Sequence, residues 1–322
     1  MNRAVAVRWG ILSTARINRP VIAAARASDR VELVAVASRD QARADAYAGE
    51  HGIERAHGSY EALLADTGVD AVYISLPNSM HVEWSIRALE AGKHVLCEKP
   101  FSRRPERVEE AFDVSERAGL ILMEGFMWRH HPQTRLLEEI IRSGRIGEPR
   151  VVLTRFSFPL DDPQNIRMRP ELDGGGLMDV GCYCISGARL IGGDPELVFG
   201  RQLVGPTGVD VRLVGTLHFP GDVLGQFVCG MDMPLSAGLE VVGSEASAVV
   251  PDPWMCRDPH IEIGEERIDV EDADRFQLEL ENMSDAIHGE AEPLLGRAEA
   301  VGQARAIDAL YRSAQTGTAV SL

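Results

Sequence analysis

Four side chains in this sequence have the types and spacing to move protons: Glu98, Lys99, Asp179 and Tyr183. Glu98 and Lys99 close a short apolar run at 94–97 whose length suits a buried strand, and Pro100 stops it. Proline lacks an N–H and disfavours helical geometry in the residue before it, so Lys99 should be held extended at a strand's carboxyl end. Ligands of open α/β sheets bind at such ends. Two solvated charges on a strand-to-helix loop would spell the same letters. Composition speaks for chemistry: Lys93 and Lys99 are the only lysines among 33 basic residues. An arginine stays charged, whereas a buried lysine can be drawn towards neutrality and exchange a proton. Asp179 and Tyr183 stand four apart, which puts both on one helical face. Gly174, Gly175 and Gly176 ahead of them let backbone lie close to whatever binds at that helix start. Spacing alone describes equally well a core tyrosine whose hydroxyl is met by Asp179.

The elements that must position these groups alternate from the start. Residues 4–9, 32–37, 71–75, 94–97 and 120–123 read as strands, each separated by an Ala-rich helical stretch. Such alternation implies a parallel, doubly wound α/β sheet with right-handed crossovers. Residues 10–15 read as the turn after the first strand, and helix is expected from about 17 to 27 with Pro20 in its first turn. A G-x-G-x-x-G dinucleotide fingerprint laid on this turn falls on Ser13, Ala15 and Asn18, so all three glycines are replaced. Ser13, Thr14, Ala15, Arg16 and Ile17 are therefore candidates to meet a pyrophosphate at a helix N-terminus. After the second strand, Ser38 and Arg39, with Arg43 one turn on, suit a 2′-phosphate and favour NADP, with NAD possible. Asp40 complicates this, because it can instead cap the next helix. The stretch Leu76-Pro77-Asn78 would lie against the cofactor with His81 beside it, or Asn78 simply caps a helix.

Beyond a helix ending near Arg142, period-2 runs dominate at 150–158, 197–203, 211–219, 224–229, 238–242 and 246–250. They predict a large, mostly antiparallel sheet with one polar face, followed by helices near 274–288 and 297–314. The expected division is a dinucleotide-binding domain at 1–124 and an α+β substrate and oligomerisation domain at 125–322. The net charge of −16 argues against nucleic acid or an anionic membrane as partner. No stretch approaches 18 apolar residues, and Arg8 interrupts any signal-peptide core, so a cytoplasmic protein is expected. The five scattered cysteines fit a reducing compartment without disulfide framework or bound metal.

WGILSTARI at 9–17, SLPNSMH at 75–81, EKP at 98–100 and MEGFMWRHHP at 123–132, in that order, resemble the Gfo/Idh/MocA oxidoreductases. Within that family they are most similar to the NADP-dependent D-xylose and trans-dihydrodiol dehydrogenases. The resemblance implies a Rossmann domain followed by an open sheet that often pairs subunits into homo-oligomers. It implies that Asp179 and Tyr183 face a nicotinamide, with Glu98 and Lys99 at the same edge. The implied reaction is hydride transfer between nicotinamide and a sugar or cyclic polyol, with aldose C1 oxidation to a lactone favoured. Keto-sugar reduction, dihydrodiol oxidation and hydride shuttling between two sugars are alternatives. A free Tyr titrates near pH ~10 and a free Lys near ~10.4, and a neighbouring ammonium lowers the tyrosine. Tyr183 would then handle the proton, Lys99 orient the hydroxyl, and Asp179 hold another. Arg129 is a further substrate candidate, or an interdomain salt-bridge partner; Asn165 and Arg167 suit a substrate or a subunit contact. Trp128, Phe158, Trp254 and Phe276 could wall a sugar ring, although plain core packing describes each of them better. A non-catalytic dinucleotide or sugar sensor would share this fold, yet has no need of the Glu98, Lys99, Asp179 and Tyr183 set.

Overall fold

A computed structural model of the chain describes residues 5–322, so Ala4, where the first expected strand begins, lies outside the described residues. The first strand, β1 (Val7–Leu12), runs three residues past its expected end. Gly10 is an in-strand residue because a Cβ there would meet Leu63 at 2.8 Å and Val69 at 3.2 Å. It is thus a packing glycine, and the turn starts at Ser13. Then follow α1 (Asn18–Ala27), β2 (Val31–Ala37), α2 (Gln41–Glu50), β3 (Arg55–His57) and α3 (Tyr60–Leu64). Next come β4 (Ala71–Ile74), α4 (His81–Glu90), β5 (His94–Glu98), α5 (Pro105–Ala118) and β6 (Leu122–Gly125). The six strands form one sheet in the order β3-β2-β1-β4-β5-β6, every pairing parallel. β3 escapes a periodicity search because it is three half-buried residues at the sheet edge. The order reverses at β1 and β4, whose carboxyl ends therefore flank the crevice where ligands of such sheets bind.

Later in the chain lie α6 (Pro132–Arg142), β7 (Pro149–Pro159), α7 (Cys182–Gly192), β8 (Leu197–Val204), β9 (Asp210–Phe219) and β10 (Val223–Gly230). β11 (Asp232–Gly243), β12 (Ser247–Val250), β13 (His260–Ile263), β14 (Glu266–Asp269), α8 (Arg275–Ile287), α9 (Arg297–Thr316) and β15 (Val320–Ser321) complete it. Their nine strands order as β14-β13-β12-β11-β7-β10-β9-β8-β15. All pairs are antiparallel except β7 with β10, which run parallel. α7 covers one face, where the Thr154 hydroxyl donates to the Cys184 carbonyl at 3.2 Å. The other face differs from the polar surface expected: Phe199, Leu203, Val214 and Leu224 are 36–51% exposed on it.

The chain forms two compact units. The first comprises the residues up to Ser102, Glu106–Met127 and, from far along the sequence, Asp274–Ala300. The second comprises Arg103–Pro105, Trp128–Ala273 and Val301–Leu322. A single cut between 124 and 125 does not describe α8, which packs on α1 and β2 of the first unit. Its Glu281 accepts from the Ser28 hydroxyl at 2.8 Å, and its Leu280 lies among Trp9, Ile11, Val21 and Tyr73.

Candidate active site

In the first unit, the turn after β1 is built from hydroxyls where a fingerprint would use glycine. Ser13 takes φ +137°, a conformation that favours glycine. Its hydroxyl lies 2.7 Å from that of Ser75, and accepts from the Ala15 amide at 3.1 Å. Ser75 in turn donates to Asn18 Oδ1 at 2.6 Å, and Asn18 Nδ2 donates to the Ser13 carbonyl at 2.9 Å. The turn is thus locked to the end of β4, with Thr14 and Ala15 half-buried and Arg16 and Ile17 exposed. No side chain caps α1 at Ile17; its first two amides, Asn18 and Arg19, donate to the Ala15 and Arg16 carbonyls at 3.2 Å, so the turn winds tightly into the helix. Beyond β2, Ser38 is buried and Arg39 and Arg43 are exposed. Burial raises the Tyr60 phenol, and these two guanidiniums, both nearby, oppose it. Asp40 is a helix cap: its carboxylate accepts from the Arg43 amide at 2.8 Å. The one carboxylate placed to meet a ribose hydroxyl is thereby engaged, and two arginines stand beside it. That donor set fits a 2′-phosphorylated dinucleotide.

Asn78 does not cap α4; it opens a short 3₁₀ turn, Asn78–Met80, and α4 starts at His81. His81 is 1% exposed and its two ring nitrogens lie 2.9 Å from the Pro100 carbonyl and 2.8 Å from that of Leu76. It therefore staples the loop after β4 to the loop after β5 and presents no ring nitrogen to a ligand, a correction to its expected place beside the cofactor. A periodicity argument sees a histidine near a candidate loop, and only the fold shows both nitrogens turned inward. The Lys99–Pro100 peptide is cis. Glu98 is half-buried and accepts from the Tyr73 hydroxyl of β4. Glu124 is 3% exposed and accepts from the Phe101 amide at 2.8 Å. A third carboxyl, Glu279 of α8, is 1% exposed. A side chain at Gly125 would meet the Cys97 carbonyl at 3.1 Å, and both the Glu98 Cα and the Glu279 Oε1 at 3.6 Å. Burial, and then the Glu98 charge, hold the Glu279 carboxyl well above the usual carboxylate range. Tyr73 and Glu279 escape sequence reasoning because their partner lies on another element. The lysines divide: Lys93 donates to the Asp66 and Val69 carbonyls at 2.8 and 2.7 Å, a structural role, which leaves Lys99 as the candidate for chemistry.

In the second unit, residues Leu177–Gly181 form a π-helical turn that runs into α7. Asp179 is largely buried, and Arg167 Nε donates to its Oδ2 at 2.8 Å. Asn165 holds that arginine's segment by accepting from the Arg167 amide at 3.1 Å. The structure thus brings Asn165, Arg167 and Asp179 together. The Tyr183 ring is 5% exposed and packs edge-on to Phe156 at 5.3 Å and tilted to Trp254 at 5.9 Å. Phe156, and not Phe158, belongs to this aromatic group, because β7 alternates and Phe156 is the inward partner. Trp128 meets Trp254 edge-on at 5.0 Å, and the buried Arg129 guanidinium lies 5.7 Å from the Trp128 ring. Phe276 belongs to the first unit, in α8, where it is buried. The glycines before the π-turn close around a carboxylate from the chain itself: Asp210 accepts from the Leu177 amide at 2.7 Å. Among the described residues no group of three His, Cys, Asp or Glu is arranged to hold a metal.

A switch-point crevice with a hydroxyl-built phosphate turn, followed by an open-faced mixed sheet, defines a dinucleotide-dependent oxidoreductase. Residues 7–126 match the oxidoreductase family with an NAD-binding Rossmann fold, and residues 134–249 match the GFO/IDH/MocA C-terminal domain. The chain is 40% identical to a D-xylose 1-dehydrogenase (NADP(+)) of Haloferax volcanii, over 98% of this chain and 99% of that one. It is 34% identical to the trans-1,2-dihydrobenzene-1,2-diol dehydrogenase of Sus scrofa, over 78% of this chain and 76% of that one. Among solved structures, a 3-ketoreductase from Actinomadura kijaniata in complex with NADP and TDP-benzene superposes with TM-score 0.89. That match has 32% identity and covers 96% of this chain and 98% of the other. The chain belongs to the Gfo/Idh/MocA oxidoreductase family.

Proposed function

We propose that this chain oxidises the anomeric hydroxyl of an aldose, a D-xylose-like sugar, to the lactone with NADP as acceptor. The observation that carries this is the Arg167–Asp179 pair one turn before Tyr183, in a chain alike over nearly its full length to a D-xylose dehydrogenase. Ser13, Thr14, Ala15, Arg16 and Ile17 would hold the pyrophosphate, Ser38, Arg39 and Arg43 the 2′-phosphate, and Leu76, Pro77 and Asn78 the adjoining nucleotide. When bound, NADP supplies a hydride acceptor at nicotinamide C4. The protein's task is the proton. Tyr183 takes it from the C1 hydroxyl, and the Lys99 ammonium orients that hydroxyl and favours the phenolate. Asp179, its carboxylate fixed by Arg167, accepts from a second ring hydroxyl, while Arg129 and Asn165 are nearby donors to the sugar. Glu98, tied to Tyr73, keeps the strand end that carries Lys99 in place.

The same groups run in reverse would reduce a keto-sugar, a reading favoured by the likeness to the 3-ketoreductase. All five cysteines are buried thiols outside any disulfide, which supports a reducing, cytoplasmic setting. The exposed apolar face of the second sheet supports a homo-oligomer, and no described helix is long and apolar enough to cross a membrane. Following nicotinamide absorbance with aldoses, dihydrodiols and keto-sugars, each with both cofactors, tests the reading. Turnover of pentoses with NADP well above NAD is expected. Turnover confined to keto-sugars, or equal use of both cofactors, would replace it.

A further inference from the structure

The glycines before Asp179 have an internal explanation that reaches the chemistry. Gly175 has φ +129°, and a Cβ on it would lie 2.2 Å from Asp210 Oδ1. A Cβ on Gly176 would lie 3.3 Å from Asp210 Oδ2. The backbone here is wrapped against a carboxylate with no space for side chains. Asp210 opens β9 and is 4% exposed. Its Oδ2 accepts from the Leu177 amide at 2.7 Å and its Oδ1 from the Tyr311 hydroxyl at 2.8 Å. The Arg103 guanidinium stands over the Tyr311 ring, 5.4 Å from its centre, and pairs with Asp173 at 3.0 Å.

We propose that Asp210 is a positioning residue: its ionised carboxylate grips the first amide of the π-turn and so fixes where Asp179 and Tyr183 point. This rests on the dehydrogenase reading above. The ionised form has acceptors for both donors. Protonation makes one oxygen a donor facing another donor, and the grip weakens. The groups facing Asp210 are Tyr311 from α9, over whose ring Arg103 stands, the buried Cys229 thiol from β10 and the amides of the glycine turn. Burial raises the carboxyl to about 6, against the pull of the Leu177 amide and the Tyr311 hydroxyl. The grip is therefore made above that pH and lost below it. Asp179 N also donates to the Gly175 carbonyl at 2.9 Å, so a shift at the glycines is passed directly to the catalytic turn.

The test uses the full chain with NADP and D-xylose, comparing wild type, Asp210→Asn and Tyr311→Phe across pH 5–9, and reads amide hydrogen exchange over 177–183. Wild-type turnover should fall on the acid side through an ionisation near 6, with exchange at Leu177 rising in the same range after correction for intrinsic rate. Asp210→Asn should lose that acid limb, raise the sugar KM or lower kcat by roughly tenfold, and leave NADP affinity within about twofold. Tyr311→Phe removes one donor to the carboxylate and should move the acid limb to higher pH. Unchanged sugar kinetics and an unchanged acid limb in Asp210→Asn would overturn the proposal. Should that variant fold poorly, an unmoved limb in Tyr311→Phe would do the same. The exchange profile of the wild type needs no substrate. If D-xylose is not turned over, a flat profile at Leu177 rejects the anchor, and a pH-linked one upholds it while the substrate reading fails.

Discussion

Arg39 and Arg43 stand at the end of β2 while the neighbouring carboxylate, Asp40, is spent on capping α2, so cofactor choice reduces to charge. Arg39→Asp should weaken NADP by roughly a hundredfold, the scale of a lost charge-assisted hydrogen bond with a repulsion in its place, and NAD far less. Equal losses in a fluorescence titration would show that this guanidinium does not read a 2′-phosphate. For Lys99 the argument is about proton transfer. Lys99→Ala should lower turnover by about a hundredfold or more with NADP affinity nearly intact. Lys99→Arg should not restore it, because guanidinium neither releases a proton nor reproduces a point charge. Tyr183→Phe keeps the ring against Phe156 and Trp254, so the fold should hold while the alkaline ionisation of turnover disappears. Combined with Lys99→Ala it should cost much less than the product of the single losses. Multiplicative losses with an unchanged pH profile would return Tyr183 to an aromatic packing role.

At the scale of elements, α8 does what no neighbouring segment does: it returns from position 275 to cover the first sheet and delivers Glu279 beneath the Glu98 strand end. Burial favours the neutral form of that carboxyl in the native state, while the unfolded chain releases the proton above pH ~4.3. Native protein then binds more protons than unfolded, so this group lowers stability as pH rises through that value and beyond. Glu279→Gln keeps the shape and removes the titration. Its melting temperature should exceed that of wild type at pH 7 by roughly 2 °C, the response to about 1 kcal/mol in a chain of this size, with the gap closing near pH 4. A wild-type advantage at pH 7 would mean that Glu279 is ionised in the fold.

For the molecule as a whole, the proposed association rests on the exposed apolar side chains of the second sheet. Leu197, Phe199 and Leu224 line a groove of about 320 Å³ on that face. A stable pairing needs about 800 Å² per partner, which a nine-stranded sheet can offer. Sedimentation should find wild type as a dimer or tetramer and Phe199→Lys with Leu224→Lys as a monomer that still binds NADP. A wild-type monomer at micromolar concentration would remove this surface from the account.

What the sequence determined by itself was whatever repeats locally. Alternating apolar runs set the parallel sheet, and β5 stops at Glu98, two residues before Pro100. The spacing from Asp179 to Tyr183 made both helical, while the fold put Asp179 in a π-turn and Tyr183 in the first turn of α7. Two readings left open at that level were decided by local geometry: the Asp40 carboxylate caps α2, and Asn78 opens a 3₁₀ turn ahead of α4 and does not cap it. Tertiary structure alone decided the partners. His81 faces two carbonyls from different loops, Lys93 is structural, and Gly175 and Gly176 close on a carboxylate 33 residues after Leu177. Periodicity records how each residue treats its neighbours in the chain. A buried charge or polar group must instead find its donor wherever the fold brings one, and that distance leaves no mark in local spacing.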